Sequence, residues 1–144
     1  MALPQNLRLK GHRTFNYIHK NSRKIYGKYM VLKITRSNPK ILISHGQHKN
    51  ISNFKIAITI SRKVSKKACI RNKIKRKLHE NYIKNFSQQY NRVPYWVLVN
   101  LKGGDFINYE TELLKEFQSL INKTGLLKWL LLKRILSLKE VLQK

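Results

Sequence analysis

The stretch from Ser61 to Asn85, SRKVSKKACIRNKIKRKLHENYIKN, limits what this chain can become more than any other part of it. Between Arg62 and Glu80 it carries nine Lys or Arg against one acid. Self-repulsion at that density opposes folding unless a polyanion neutralises it, so nucleic acid is the expected partner. The same residues predict a helix. No Gly or Pro occurs from Lys67 to Phe86, and Ile70, Ile74, Leu78 and Tyr82 recur every four positions along one side. Ser65 is the expected N-cap. At about 100° per residue Asn72, Lys73, Arg76, Lys77, His79 and Glu80 fall away from the apolar stripe, and Arg71 and Lys75 fall at its border. A merely solvated charged face would need acids for i,i+4 pairing, and these are missing.

The formal charge of +25 over 144 residues is unevenly spread. Residues 1–92 hold 23 Lys or Arg and one acid, whereas residues 93–144 hold eight and five. The cations alternate with strand and helix patterns and do not form a terminal tail, which favours RNA or DNA over a membrane surface. The length suits one domain with a modest core. A single cysteine, Cys69, excludes an internal disulfide and is expected to be a small core residue on the helix interior. The opening MALPQNLRLKG lacks an apolar signal core, so a cytoplasmic location is expected. Stable membrane insertion is not expected, because Lys128, Lys133, Arg134 and Lys139 interrupt the greasy C-terminus.

Taken in order, residues 3–11 form an extended arm that Pro4 keeps out of helix. Residues 12–20 suit a short helix with Phe15, Ile18 and His19 on one side. A short basic strand follows before Gly27, then a second over Lys28 to Arg36, then a polar connection over residues 37–53. Phe54 to Ser61 is the clearest strand, with Phe54, Ile56, Ile58 and Ile60 on one side. The apolar run Tyr95 to Leu101 predicts a strand covered on both faces, so strand, basic helix and strand make a βαβ-like unit. Asp105 to Lys123 predicts an amphipathic helix burying Leu113, Leu114, Phe117, Leu120 and Ile121. Gly125 ends it. The segment after it reads, in order of preference, as a further docking helix, a partner or membrane-surface helix, or a tail without fixed structure.

Chemistry of the protein's own is conspicuously thin. A nuclease needs clustered carboxylates for Mg²⁺ or a His pair for acid–base work, and residues 1–92 contain only Glu80. The remaining acids, Asp105, Glu110, Glu112, Glu116 and Glu140, follow helical spacing and read as dipole and solubility residues. His45 and His48 have a metal-like spacing without further ligands nearby, so no metal site is expected.

The run Ser61-Arg62-Lys63, then Ala68, then Arg71-Asn72-Lys73-Ile74-Lys75-Arg76 with Glu80, resembles the signature of the bacterial ribonuclease P protein subunit. Leu3-Pro4, Arg8-Leu9-Lys10 and Phe15 look like that family's arm and first helix, and Tyr95 to Leu101 like its last strand. The resemblance covers roughly residues 3–123. It implies an α+β fold, a small α-β-β-β-α-β-α sandwich with a four-stranded sheet and an unusual left-handed βαβ crossover. Residues 124–144 would then be a C-terminal helical extension to a domain of residues 1–123. It also implies that Mg²⁺ held mainly by a ribonuclease P RNA cuts the 5′ leader from precursor tRNA. The protein would bind that RNA through Arg62, Lys63, Lys66, Lys67, Arg71, Asn72, Lys73, Lys75 and Arg76. It would grip the leader through Arg8, Phe15, His19, Lys33 and Lys55, with no catalytic or metal-binding residue of its own and no obligate protein partner. Lys73 and His79 stand where the family usually has Arg, and Leu101-Lys102 lacks the Arg that commonly ends the last strand.

Two other classes fit the charge: a structural RNA-binding protein of ribosomal type, and a membrane-associated basic protein whose main site is the C-terminal segment. Neither calls for the Ser-Arg-Lys to Arg-Asn unit.

Overall fold

The structure, a computed structural model, describes residues 7–37, 54–85, 95–103 and 106–142. Helix α1 (His12–Asn21) is followed by strands β1 (Arg23–Tyr26), β2 (Met30–Arg36) and β3 (Lys55–Ile60). Helix α2 (Ala68–Asn85), strand β4 (Tyr95–Leu101), helix α3 (Phe106–Lys123) and helix α4 (Leu126–Leu142) complete the order. The four strands form one sheet in the order β1-β2-β4-β3. β3 and β4 are parallel, as the βαβ reading expects, while β1–β2 and β2–β4 are antiparallel.

β4 lies inside the sheet, and its unbroken apolar run is explained by two cores. Val97, Val99 and Leu101 join Leu32, Ile56 and Ile58 on the face covered by α2 and α3. Trp96 and Leu98 point the other way and pack with Leu9 and Ile18 beneath α1. α2 contributes Ile74, Leu78 and Tyr82, all buried, and Tyr82 stacks on Phe54 with ring centroids 5.4 Å apart. α3 contributes Leu113, Phe117, Leu120 and Ile121. Burying such a side chain stabilises the fold by roughly 1.5–3 kcal/mol, so both helical stripes are held by the sheet more than by their own propensity. The outer edge of β3 is partly covered by the arm, where Arg8 bridges to Ile56 and the Leu9 amide donates to the Ile56 carbonyl at 3.4 Å.

Five expectations change. Strand β2 starts at Met30: the Tyr29 amide turns to donate to both carboxylate oxygens of Glu116, each at 3.0 Å, while the Tyr29 carbonyl accepts from the Lys102 amide at 2.7 Å. Tyr29 Oη donates to Glu112 at 2.9 Å, so these acids are tertiary anchors and not solubility residues. A β-carbon at Gly27 would meet the Glu116 carboxylate, so a larger residue there would push that side chain off Tyr29. Cys69 is exposed, because it lies on the Lys73 side of α2 and off the apolar stripe. Ser65 does not cap α2, which begins three residues later at Ala68. The fifth concerns the tail: α4 is a helix, but every side chain from Ile135 to Leu142 is exposed, Leu142 at 83 %, so this half does not dock on the domain. Most of the 37–53 connection, with His45 and His48, lies outside the described residues.

Candidate nucleic-acid interface

The loop from β3 into α2 is built from two serine turns. The Ser61 carbonyl accepts from the Val64 amide at 3.0 Å while Ser61 Oγ accepts from the Lys63 amide at 3.1 Å. Ser65 Oγ accepts from the Lys67 amide at 3.3 Å. Arg71 reaches back and donates to the Ser65 carbonyl at 3.0 Å and the Lys66 carbonyl at 3.3 Å. Its guanidinium therefore fixes the loop and lines one cleft with Arg62, Lys63 and Lys66. Four cations around one cleft form a ready anion site, and backbone contacts of this kind hold the loop before any ligand arrives.

Along α2, Asn72, Lys73, Arg76 and Lys77 are exposed, and Lys75 and His79 are half-buried. The Arg76 Nε donates weakly to the Asn72 carbonyl at 3.5 Å, which lays the guanidinium along the helix. None of Arg62, Lys63, Lys66, Lys67, Lys73, Lys75 or Lys77 has a hydrogen-bonded carboxylate among the described residues.

A second surface runs beside α1. Phe15, half-buried, lines a groove with Arg8, Lys10, Ala57, Lys75 and His79. Phe15 also packs on the small core under α1, so it is both wall and partial core residue. Farther along α1, His19 Nδ1 and Lys33 Nζ are 2.9 Å apart. With the ammonium donating, Nδ1 accepts, and the ring proton sits on Nε2. Burial, then Lys33 and Lys24, hold His19 below its ordinary pKa. Burial, then Lys24, likewise lower Lys33, and Lys24 pairs directly across the β1–β2 ladder from it. Lys55, beside Trp96 in register, is lowered by burial and then by Lys10. His79 is pushed down to about 4 by burial, with Lys75 and Arg8 adding to it, so its ring is neutral at physiological pH. Cations that crowd one another in this way are relieved by a polyanion.

The predicted residues thus fall into two groups. Arg62, Lys63, Lys66 and Arg71 meet at the loop cleft, and Asn72, Lys73 and Arg76 continue that face. Arg8 and Phe15 share the groove, His19 and Lys33 are bonded to each other, and Lys55 stands apart from the groove lining. Lys75, assigned by its sequence position to the α2 face, lies in the groove with Phe15. Lys10, Lys24 and His79 were missed. Lys10 stands two residues from Arg8 in the arm and could have been found by that alternation, whereas the Lys24–Lys33 pairing depends on strand register.

Fold and site together define a small α+β protein with a polybasic helix beside an aromatic-walled basic groove. Residues 3–125 match the family model for Ribonuclease P, and the chain belongs to the ribonuclease P protein family. It is 65 % identical over 127 residues to a Ribonuclease P protein component of Prochlorococcus marinus (strain MIT 9515), covering 88 % of this chain and 98 % of the relative. Its fold resembles the Staphylococcus aureus RNase P protein with a TM-score of 0.65 at 18 % identity, over 84 % of this chain and 97 % of that one. The RNase P protein from Thermotoga maritima gives 0.59 at 18 % identity, over 81 % and 96 %. The family match ends at Gly125, one residue before α4 begins.

Proposed function

We propose that this chain is the protein component of a ribonuclease P ribonucleoprotein that removes the 5′ leader of precursor tRNA. The loop of residues 61–67 and the outer face of α2 bind the RNA subunit, and the groove beside α1 takes the single-stranded leader. The observation that carries this reading is the meeting of the two surfaces. Lys75 and His79 project from α2 into the groove that Phe15 and Arg8 line, so one RNA bound along α2 and another lying against α1 are brought side by side. Phosphates are met by Lys and Arg, and bases by the Phe15 ring, which is the pairing of charge and flat surface that single strands require.

Among the described residues no three His, Cys, Asp or Glu side chains gather into a group that could hold a metal ion. The hydrolytic metal chemistry is assigned to the RNA subunit, and the protein's residues bind and position. No described helix is long and apolar enough to cross a membrane.

The test is cleavage of precursor tRNA by the full chain with and without a ribonuclease P RNA in Mg²⁺. Cleavage to a 5′-phosphorylated mature end is expected only with the RNA. Cleavage at the same site by protein alone would overturn the division of labour.

A further inference from the structure

α1 is a ridge with two flanks. Thr14 and Ile18 are buried beneath it, Phe15 and His19 lie on one side, and Tyr17 and Asn21 lie on the other. Tyr17 and Asn21 line a separate groove with Arg23, Arg36, Tyr95 and Leu132, and among the described residues no acid lines it. We infer that this second groove binds unpaired RNA nucleotides. The inference rests on the RNA-binding function proposed above.

Three features build the site. First, β1 pairing begins at Arg23 opposite Ile34, so the last two residues of β2, Thr35 and Arg36, have a ladder partner only in β4. That leaves a notch at the end of the sheet. Second, its far wall is pinned. Arg23 Nη2 donates to the Thr124 carbonyl at 2.9 Å, and Gly125, with φ of 78°, turns the chain so that Leu132 of α4 closes the groove. The positive φ suits glycine, and the wall belongs to the helix that follows the family match. Third, next to lining residues lie two buried polar atoms with no hydrogen-bond partner among the described residues, Ser22 Oγ and Trp96 Nε1. Ser22 lies between Asn21 and Arg23, and Trp96 pairs with Thr35 and meets the Tyr17 ring edge-on at 6.0 Å. Unsatisfied buried polar groups are uncommon and call for a partner that the fold itself does not supply.

The chemistry is specific to nucleotides. Two guanidiniums meet phosphates with forked donors, and phenol rings offer faces to bases. Asn21 Nδ2 donates to the Tyr17 carbonyl at 3.1 Å, which leaves Oδ1 to accept from a base edge. The nucleotides come either from the distal part of the leader or from an unpaired segment of the RNA subunit.

The test measures binding of a fluorescent oligouridylate of about six nucleotides to the full chain, with the stoichiometry read at saturation. Wild type is expected to take up two per chain. Arg36→Gln, an exposed change, should lose one with about tenfold weaker binding there, and Phe15→Ala should lose the other. Arg13→Gln, equally exposed on α1 but away from both grooves, should keep both. If Phe15→Ala loses a site and Arg36→Gln behaves as Arg13→Gln, the inference fails and the leader groove stands. If only Arg36→Gln loses a site, the inference stands and the leader groove falls; if neither does, both fall. Precursors with leaders of about five and about fifteen nucleotides then separate the sources. A distal-leader site makes Arg36→Gln weaken only the longer precursor, and an RNA-subunit site makes it weaken holoenzyme assembly irrespective of leader length.

Discussion

α2 and α3 are both 18 residues long, lie on the same face of the sheet, and bury a stripe of four-residue spacing in the same core. Their polar sides differ. α3 turns Glu112 and Glu116 onto Tyr29, so these two carboxylates are engaged by the fold itself. Among the described residues none of Lys73, Lys75 or Lys77 has a hydrogen-bonded carboxylate, and the polar sides of the two helices touch through a neutral pair, Gln118 Nε2 donating to Asn81 Oδ1 at 3.4 Å. Equal apolar stripes with unequal polar sides separate what holds the molecule together from what it offers to a ligand.

The largest expected effect strikes what the helices share. Leu78→Ala removes a fully buried side chain and should cost about 2–5 kcal/mol in denaturant unfolding, and Phe117→Ala on α3 should cost a similar amount. Smaller losses would mean that one helix is only loosely docked. Phe15→Ala should weaken precursor tRNA binding by about tenfold and leave mature tRNA binding nearly unchanged, since stacking of one base is worth roughly 1–3 kcal/mol. Equal loss for both RNAs, together with a melting temperature as low as that of Leu78→Ala, would make Phe15 a core residue alone.

Glu116→Gln sharpens the contrast from the other side. It keeps shape but removes the charge that receives the Tyr29 amide, and should lower stability by about 1–2 kcal/mol without weakening RNA binding. A loss of RNA affinity would place α3 in the interface. The smallest effect concerns pH. His79 has its pKa lowered from 6.5 to about 4 in the fold, so the unfolded chain takes up a proton first. Its contribution to stability is present above pH 6.5 and is lost as the pH falls from there towards 4. His79→Gln should flatten the fall in melting temperature over that window relative to wild type. An identical pH profile in the variant would mean that the ring is not desolvated.

Much of this was legible in the sequence, and the reasons are local. The Ile70, Ile74, Leu78, Tyr82 stripe and the alternation of Phe54, Ile56, Ile58 and Ile60 are periodicities that the sheet only had to accept. β4 was recognisable because both faces are covered and its apolar run is unbroken. Cys69 was misplaced because its residue type outweighed its position, which is one turn from Lys73 on the polar side. Ser65 looked like a cap, but its hydroxyl closes a turn of the loop instead. The role of Glu116 was hidden because its partner lies 87 residues away in sequence. Lys24, paired with Lys33, and the groove residue His79 were hidden for the same reason, since strand register and helix docking bring them to their neighbours.

The central claim is that the polar side of α2, unlike that of α3, is completed by RNA. It is tested most directly by the salt dependence of affinity for the ribonuclease P RNA, compared between Lys73→Ala/Arg76→Ala and Glu112→Gln/Glu116→Gln. Each phosphate contact contributes about 0.7–0.9 to the log–log slope, so the α2 pair should flatten it by roughly 1.5 while the melting temperature stays within a few degrees of wild type. The α3 pair should leave the slope unchanged and lower the melting temperature. An unaltered slope in the α2 pair would contradict the claim and make that face merely solvated.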